Sequence, residues 1–127
     1  MPHIIIEHSI DFSSKEIIQL AHEIQKTCGQ IQGGNFDYDQ FKIRSLSFNN
    51  YGVGSDGNNA NFIHISIKIL QGRSLEIKKQ LSENCFKIVQ SFFENSGLNQ
   101  KRCDLSLDVI EMDRELYHKQ TIRALNQ

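Results

Sequence analysis

The chain has 127 residues, which is long enough to bury a hydrophobic core without help from a metal or a disulfide. The formal net charge of −1 argues against non-specific binding to nucleic acid or to an anionic membrane surface. The three cysteines are widely spaced and form no CxxC pair, so they indicate neither a disulfide framework nor a zinc site. Because no basic segment precedes a long apolar run, we expect one cytoplasmic domain over residues 1–127 with no membrane span.

The first half of the chain predicts a strand, a helix and a second strand. Residues 3–8 are a β-branched run that is typical of a strand. A capping box at Ser13 and Glu16 then begins a helix, and Gly29 suits its end. The apolar positions of this helix recur at helical spacing: Ile17, Leu20, Ala21, Ile24 and Cys28. Residues 41–48 predict the second strand.

The second half predicts the same order of elements. Residues 49–61 are rich in Gly and Asn and predict a loop. Residues 62–70 alternate isoleucine with mostly polar side chains, which is the pattern of a half-buried strand. A helix is predicted over residues 74–95, with Gly97 as its terminator, and a second alternation over residues 105–109 predicts the fourth strand.

The two halves share this pattern at a shift of 60 positions, which lays Ser14 on Ser74 and Glu16 on Glu76. Each βαβ unit is expected to form a right-handed crossover between parallel strands. The predicted fold class is therefore α+β, with two βαβ units that form a four-stranded mixed sheet and two helices on one face. The other face carries mixed residues, so we expect another subunit to cover it. The tail from Asp113 onward shows no period.

Two features of the sequence could suggest ligand sites, but the residues around them indicate neither a dinucleotide site nor a metal site. Gly52, Gly54 and Gly57 match the GxGxxG spacing of a dinucleotide site, but a strand rather than a helix follows them, so we interpret the stretch as a loop. The five histidines show no HxxxH or HExxH grouping, and no metal site is expected.

Three residues are candidates for chemistry. Pro2, the only proline, carries a free secondary amine if Met1 is removed. Burial beside arginines lowers the pKa of such an amine toward neutrality, which is what a general base requires at cellular pH. The alternative is a proline of no consequence at a chain end. Arg73 precedes the second helix and is suited either to clamping a carboxylate ligand or to pairing with Glu76 or an aspartate on the surface. Arg44, taken alone, is an outward-facing charge on a strand.

The chain resembles the tautomerase superfamily in four segments that follow one another along nearly its whole length: MPHIIIEHS, FKIRSLSF, NFIHISIKILQGRSLE and YHKQTIRALNQ. Within that superfamily it is most similar to the 5-carboxymethyl-2-hydroxymuconate delta-isomerase family. The resemblance is specific because the amino-terminal MPH and the central GRSLE occur together with the predicted βαβ–βαβ order.

This resemblance implies a homotrimer whose sheets wrap a central barrel, with the first and third strands central and antiparallel. It implies that Pro2, once Met1 is removed, moves a proton between a dienol oxygen and a distal carbon without cofactor or metal. Arginines of the family hold substrate carboxylates and polarise the carbonyl, while aromatic side chains form the apolar wall of the pocket. The matching positions here are Arg44, Arg73, Phe48 and Phe62.

The expected function is that of an isomerase acting on an unsaturated 2-hydroxy or 2-oxo dicarboxylate, similar to 5-carboxymethyl-2-hydroxymuconate, in the degradation of aromatic compounds. Two alternatives stay open: a keto-enol tautomerase of a monocarboxylate such as phenylpyruvate, and a non-catalytic trimeric binding protein of the same fold. Leu46 stands where some relatives carry a further arginine, which affects the choice of substrate more than the proton transfer. With Met1 attached, the Pro2 nitrogen is an amide and is no base.

Overall fold

The computed structural model of the protein describes residues 1–124. Residues 125–127, which end the predicted domain and the tail segment of the resemblance, lie outside the described residues. The strands and helices follow in the predicted order: β1 (His3–Ser9), α1 (Ser14–Gly29), β2 (Lys42–Phe48), β3 (Asn61–Leu70), α2 (Leu75–Asn95) and β4 (Cys103–Met112). Two short 3-10 turns, Tyr38–Gln40 and Gly54–Asn59, precede β2 and β3.

The four strands form one mixed sheet in the order β2-β1-β3-β4. At its centre β1 and β3 run antiparallel, whereas β2 is parallel to β1 and β4 is parallel to β3. Each parallel pair is connected through a helix, α1 in the first half and α2 in the second, because parallel neighbours need a long crossover. Both helices pack on one face of the sheet, and the predicted α+β fold is confirmed.

Isoleucines of the two central strands form the middle of the core. Those that face the helices are at most 1 % exposed: Ile4, Ile6, Ile63, Ile65, Ile67 and Ile69. Helix α1 contributes the apolar positions that its spacing predicted, and α2 contributes Leu81, Cys85 and Val89. The free thiols of Cys28 in α1 and Cys85 in α2 lie 3.8 Å apart in the core. The alternation along β3 therefore identifies the buried face of the sheet.

The opposite face of the sheet, which we call the open face, is less buried and chemically mixed. On β3 it carries Phe62, His64, Ser66 and Lys68, all of intermediate burial. On β2 it carries Arg44 and Leu46, and the Leu46 side chain is 54 % exposed. This is the face that the predicted trimer would cover.

Serine side chains cap both helices. Ser13 Oγ accepts a hydrogen bond from the backbone N–H of Glu16 at 3.2 Å, and the Glu16 side chain accepts one from the Ser13 N–H, which completes the predicted capping box. Ser74 Oγ accepts from the Ile77 N–H at 3.2 Å. These two caps lie 61 positions apart, so the predicted shift of 60 is wrong by one at the helices, and Ser13 rather than Ser14 corresponds to Ser74.

The helix ends agree closely with the sequence. Gly97 follows α2 with a φ of 77°, the left-handed conformation in which glycine commonly terminates helices, as predicted. Gly29 is the last residue of α1, and the cap itself is Gln30. Neither helix in residues 1–124 is both long and apolar enough to cross a membrane.

The fourth strand is ten residues long, whereas its alternation predicted only residues 105–109. The pattern reverses at its end, because Ile110 lies on the open face and Glu111 on the face toward the helices. There the Glu111 carboxylate contacts the ammonium of Lys78 in α2 at 3.0 Å. This ion pair allows a charged residue at a position where the sequence pattern calls for an apolar one.

A pair of leucine substitutions in α2 tests this account of the core. Leu81 is fully buried and Leu75 is 63 % exposed. We expect Leu81→Ala to lower the free energy of unfolding by about 2–5 kcal/mol through lost burial and the cavity left behind. The matched change Leu75→Ala should cost at most about 0.5 kcal/mol. Urea unfolding followed by circular dichroism measures both, and equal losses would contradict the assigned face of α2.

Candidate active site at the amino-terminal edge of the sheet

Three segments meet where β1 begins. Because β1 and β3 are antiparallel, His3 lies opposite Lys68, and the loop after β3 that carries Arg73 returns to the amino terminus. Pro2 is buried, and its carbonyl oxygen accepts a hydrogen bond from the backbone N–H of Lys42 at 3.0 Å, which aligns the start of β2 with the same edge.

The amino terminus lies in partly buried, cationic surroundings. Burial is the main cause that lowers the pKa of the Met1 amino group, and the charge of Arg73 is the next. Lys42 and Lys119 lower this pKa further, and the carboxylate of Asp37 opposes them. The uncharged form of an amine is therefore favoured at this edge of the sheet.

Arg73 is held by backbone carbonyls rather than by an acidic side chain. Its guanidinium lies over the ring of Phe36, with the central carbon 4.4 Å from the ring centroid. Its three hydrogen bonds run to carbonyl oxygens of Gly34 (3.0 Å), Leu70 (3.3 Å) and Asn35 (3.4 Å). Within residues 1–124 it forms no ion pair, so the alternative of a surface pair with Glu76 or an aspartate is wrong for this part of the chain. Two of its N–H groups are left for a ligand.

A cleft of about 240 Å³ lies beside Arg73, and a second guanidinium, that of Arg114, lines it. The remaining lining residues are Gly33, Gly34, Asn35, Gly72, Ser74 and Ile77. Burial and the nearby charge of Arg114 both lower the pKa of Arg73. Two cations beside one cleft give it a positive potential that suits an anionic ligand.

Sequence reasoning missed Arg114, because the tail in which it lies has no period. The strand topology nevertheless contains a signal for it. β3 and β4 are parallel and pair Leu70 with Met112 at their ends, so the residues that follow the two strands emerge at one edge of the sheet. Arg73 and Arg114 are both such residues.

Arg44 reaches the amino terminus indirectly, through His3. Its Nη1 donates to His3 Nδ1 at 3.1 Å, and since a guanidinium cannot accept, Nδ1 is the acceptor. The ring proton is then on Nε2, which donates to the hydroxyl of Tyr117 at 2.8 Å. Burial first, and the charge of Arg44 next, lower the pKa of His3, in agreement with a neutral ring. The tail is thus tied to the first strand by Tyr117, a residue that the sequence did not single out.

Phe48 and Phe62 lie together but far from Pro2 in the same chain. Their ring centroids are 6.1 Å apart. Phe48 pairs with Ser9, at the other end of β1 from His3, and six residues of strand span about 20 Å. The two rings could therefore line the pocket of a Pro2 only if that proline belonged to a neighbouring subunit.

The glycine motif at Gly52, Gly54 and Gly57 leads into a strand, as its context in the sequence predicts. Gly54 begins a short 3-10 turn that leads into β3, so no long helix opens after the glycine motif. In the part of the chain that the structure describes, no three His, Cys, Asp or Glu side chains are grouped so that they could hold a metal ion.

Comparison with known proteins connects this geometry to one family. A family model described as 5-carboxymethyl-2-hydroxymuconate isomerase matches residues 2–125. No curated protein sequence matches the chain significantly.

Several solved structures share the fold at low sequence identity. One is a 5-carboxymethyl-2-hydroxymuconate isomerase from Deinococcus radiodurans R1, with 20% identity, a TM-score of 0.83, and coverage of 95% of this chain and 90% of that chain. A 5-carboxymethyl-2-hydroxymuconate delta-isomerase has 15% identity and a TM-score of 0.79, with 95% and 88% covered. A fused 4-OT wild-type symmetric trimer, W0, has 16% identity and a TM-score of 0.69, with 89% and 88% covered.

The pKa of His3 leads to a pH prediction. This pKa lies below its ordinary value of 6.5 in the folded protein, so the unfolded chain binds the proton more readily. Stability that depends on the neutral ring is present above pH 6.5 and is lost as the pH falls toward the folded pKa. We expect urea titrations from about pH 7.5 to about pH 5 to show a smaller loss in His3→Asn than in the wild type.

His22→Asn is the matched control for this measurement, because His22 lies on the exposed side of α1. It should keep the wild-type dependence on pH. An acid-induced loss in His3→Asn as large as that of the wild type would contradict the hydrogen-bond chain through His3.

Proposed function

This chain belongs to the 5-carboxymethyl-2-hydroxymuconate isomerase family, and on that premise we propose that it moves a proton within an unsaturated 2-hydroxy carboxylate of the 5-carboxymethyl-2-hydroxymuconate type. One observation carries this proposal. The amino terminus is partly buried and close enough to Arg73 for the charge of that arginine to lower the pKa of the terminal amine, and the same arginine lines a cleft that suits an anion. A general base and a carboxylate anchor are needed together for this chemistry.

The proposed base is the secondary amine of Pro2 after removal of Met1. The burial and the positive charges that lower the pKa of the Met1 amine would act on the Pro2 amine, one residue further along the chain. The uncharged amine takes the proton of the substrate 2-hydroxyl, and the electron pair of that bond forms the carbonyl. The conjugated double bonds shift, and the distal carbon takes the proton back from the prolinium. Atoms and electrons balance, so this reaction calls for no cofactor.

Arg73 is the proposed anchor for the carboxylate next to the reacting carbonyl. Its hydrogen bonds to backbone carbonyls fix the guanidinium at the edge where β1 begins, and two N–H groups remain for the substrate. Arg44 would contribute to the same site through His3 or across a subunit boundary.

The proposed assembly is a homotrimer that covers the open face. The half-buried, mixed side chains of that face support it, and so does the fold that the chain shares with a symmetric trimer. In such an assembly Phe48 and Phe62 would line the pocket of a neighbouring Pro2, since they lie at the far end of their own sheet. We further propose that the reaction belongs to the degradation of aromatic compounds and that the protein is cytoplasmic.

Replacing the proline tests the proposed base. In protein whose intact mass shows that Met1 has been removed, Pro2→Ala should lower kcat for 5-carboxymethyl-2-hydroxymuconate by about 100-fold, because a primary amine substitutes only partly for the general base. The size-exclusion elution volume should stay unchanged. Equal rates for the two proteins, or full activity in protein that retains Met1, would overturn the role of Pro2. Absence of turnover by the processed wild type would favour a binding protein.

Replacing the anchor tests Arg73. Arg73→Ala should raise KM at least about tenfold, since a charge-assisted hydrogen bond is worth about 1.5–3 kcal/mol. The same change also frees the loop that Arg73 holds, so Phe36→Leu serves as the control, because it loses the ring contact but keeps the charge. We expect Phe36→Leu to lower the unfolding midpoint and leave KM near the wild-type value. An unchanged KM in Arg73→Ala would remove this arginine from the site.

A further inference from the structure

We propose that Arg114 is a specificity-determining residue: it lines the same cleft as Arg73 and binds a second carboxylate of the substrate, remote from the one that Arg73 holds beside the reacting carbonyl. The inference rests on the proposed isomerase function and deepens it by assigning a residue to one of the further carboxylates of the substrate. A substrate of the 5-carboxymethyl-2-hydroxymuconate type has such a group, because its carboxymethyl substituent adds a carboxylate to those of muconate.

The backbone fixes the base of the Arg114 side chain. The Gln71 N–H donates to the carbonyl oxygen of Met112 at 3.1 Å and so extends the pairing of β3 with β4 past the ends of both strands. Arg114 Nε donates back to the Gln71 carbonyl oxygen. The side chain is therefore anchored through Nε, and its two terminal nitrogens remain for a ligand.

A glycine allows the guanidinium to lie where it does. A Cβ at Gly72 would come within 3.2 Å of Arg114 Nη2 and 3.5 Å of Nε, so the guanidinium occupies the space that a side chain would fill. Gly72 also has a φ of 129°, in the region that favours glycine. It immediately precedes Arg73, and this places Arg114 on the wall of the same cleft.

The charge of this cleft is uncompensated within residues 1–124. Neither Arg73 nor Arg114 forms an ion pair there, whereas Arg102 contacts Asp56 at 3.3 Å and Asp104 at 3.0 Å. Two like charges brought together without a counterion raise the free energy of the empty cleft, and a bound anion offsets that cost. Arg73 binds the substrate carboxylate next to the carbonyl, so Arg114 remains available to bind a second carboxylate.

A pair of arginine substitutions at opposite ends of β4 tests this inference. Arg114→Gln removes the unpaired cation after the strand, and Arg102→Gln removes the paired cation before it, so both lose the same charge. Kinetics are compared on 5-carboxymethyl-2-hydroxymuconate and on the enol of phenylpyruvate, which has a single carboxylate. We expect Arg114→Gln to lower kcat/KM at least about tenfold on the first substrate, mainly through KM, and less than about twofold on the second. Arg102→Gln should leave kcat/KM unchanged on both substrates. Arg114→Lys should retain part of the preference for the substrate with more than one carboxylate.

Equal losses on both substrates, or no loss on either, would overturn the inference. A binding measurement separates its failure from that of the proposed function. Titration calorimetry with propane-1,2,3-tricarboxylate needs no turnover, and Arg114→Gln should raise its Kd at least about tenfold while Arg102→Gln leaves it unchanged. If the wild type turns over neither enol but this difference in Kd is found, the isomerase proposal fails and the anion cleft stands. If Arg114→Gln leaves the Kd unchanged, the cleft assignment fails, whatever the activity.

Discussion

The antiparallel pairing of β1 with β3 is the constraint on which the site depends. It places the start of the first strand beside the end of the third, so the amino terminus and Arg73 share one edge of the sheet although they lie far apart in sequence. The buried isoleucines of the two strands hold this register, because a slip by one residue would turn them onto the open face. The core and the candidate site are thus two results of the same pairing.

Most of the fold could be predicted because it rests on local patterns. Alternating isoleucines identify β3, and serine caps place the helix starts, so the βαβ order follows from the sequence. The end of β4 could not be predicted in the same way. There Ile110 and Glu111 exchange faces, and the ion pair of Glu111 with Lys78 in α2 is a tertiary contact that no periodicity reveals.

The candidate site was predictable only where a residue stands next to a recognisable element. Pro2 precedes the first strand and Arg73 precedes the second helix, and the structure brings these two segments together. Arg114 and Tyr117 lie in a tail without a period, and their positions depend on hydrogen bonds to distant residues. The family resemblance identifies Phe48 and Phe62 as candidates for the apolar wall of the pocket. Only the pairing and direction of the strands show how far they lie from Pro2 within one chain.

The way in which Arg73 is held has a consequence for binding entropy. An arginine side chain free in solvent loses about 2 kcal/mol of rotamer freedom when a ligand immobilises it. Here the carbonyls of Gly34, Leu70 and Asn35 and the ring of Phe36 immobilise the side chain during folding. An incoming anion therefore meets a pre-organised guanidinium, and the ordering of that side chain does not weaken its affinity.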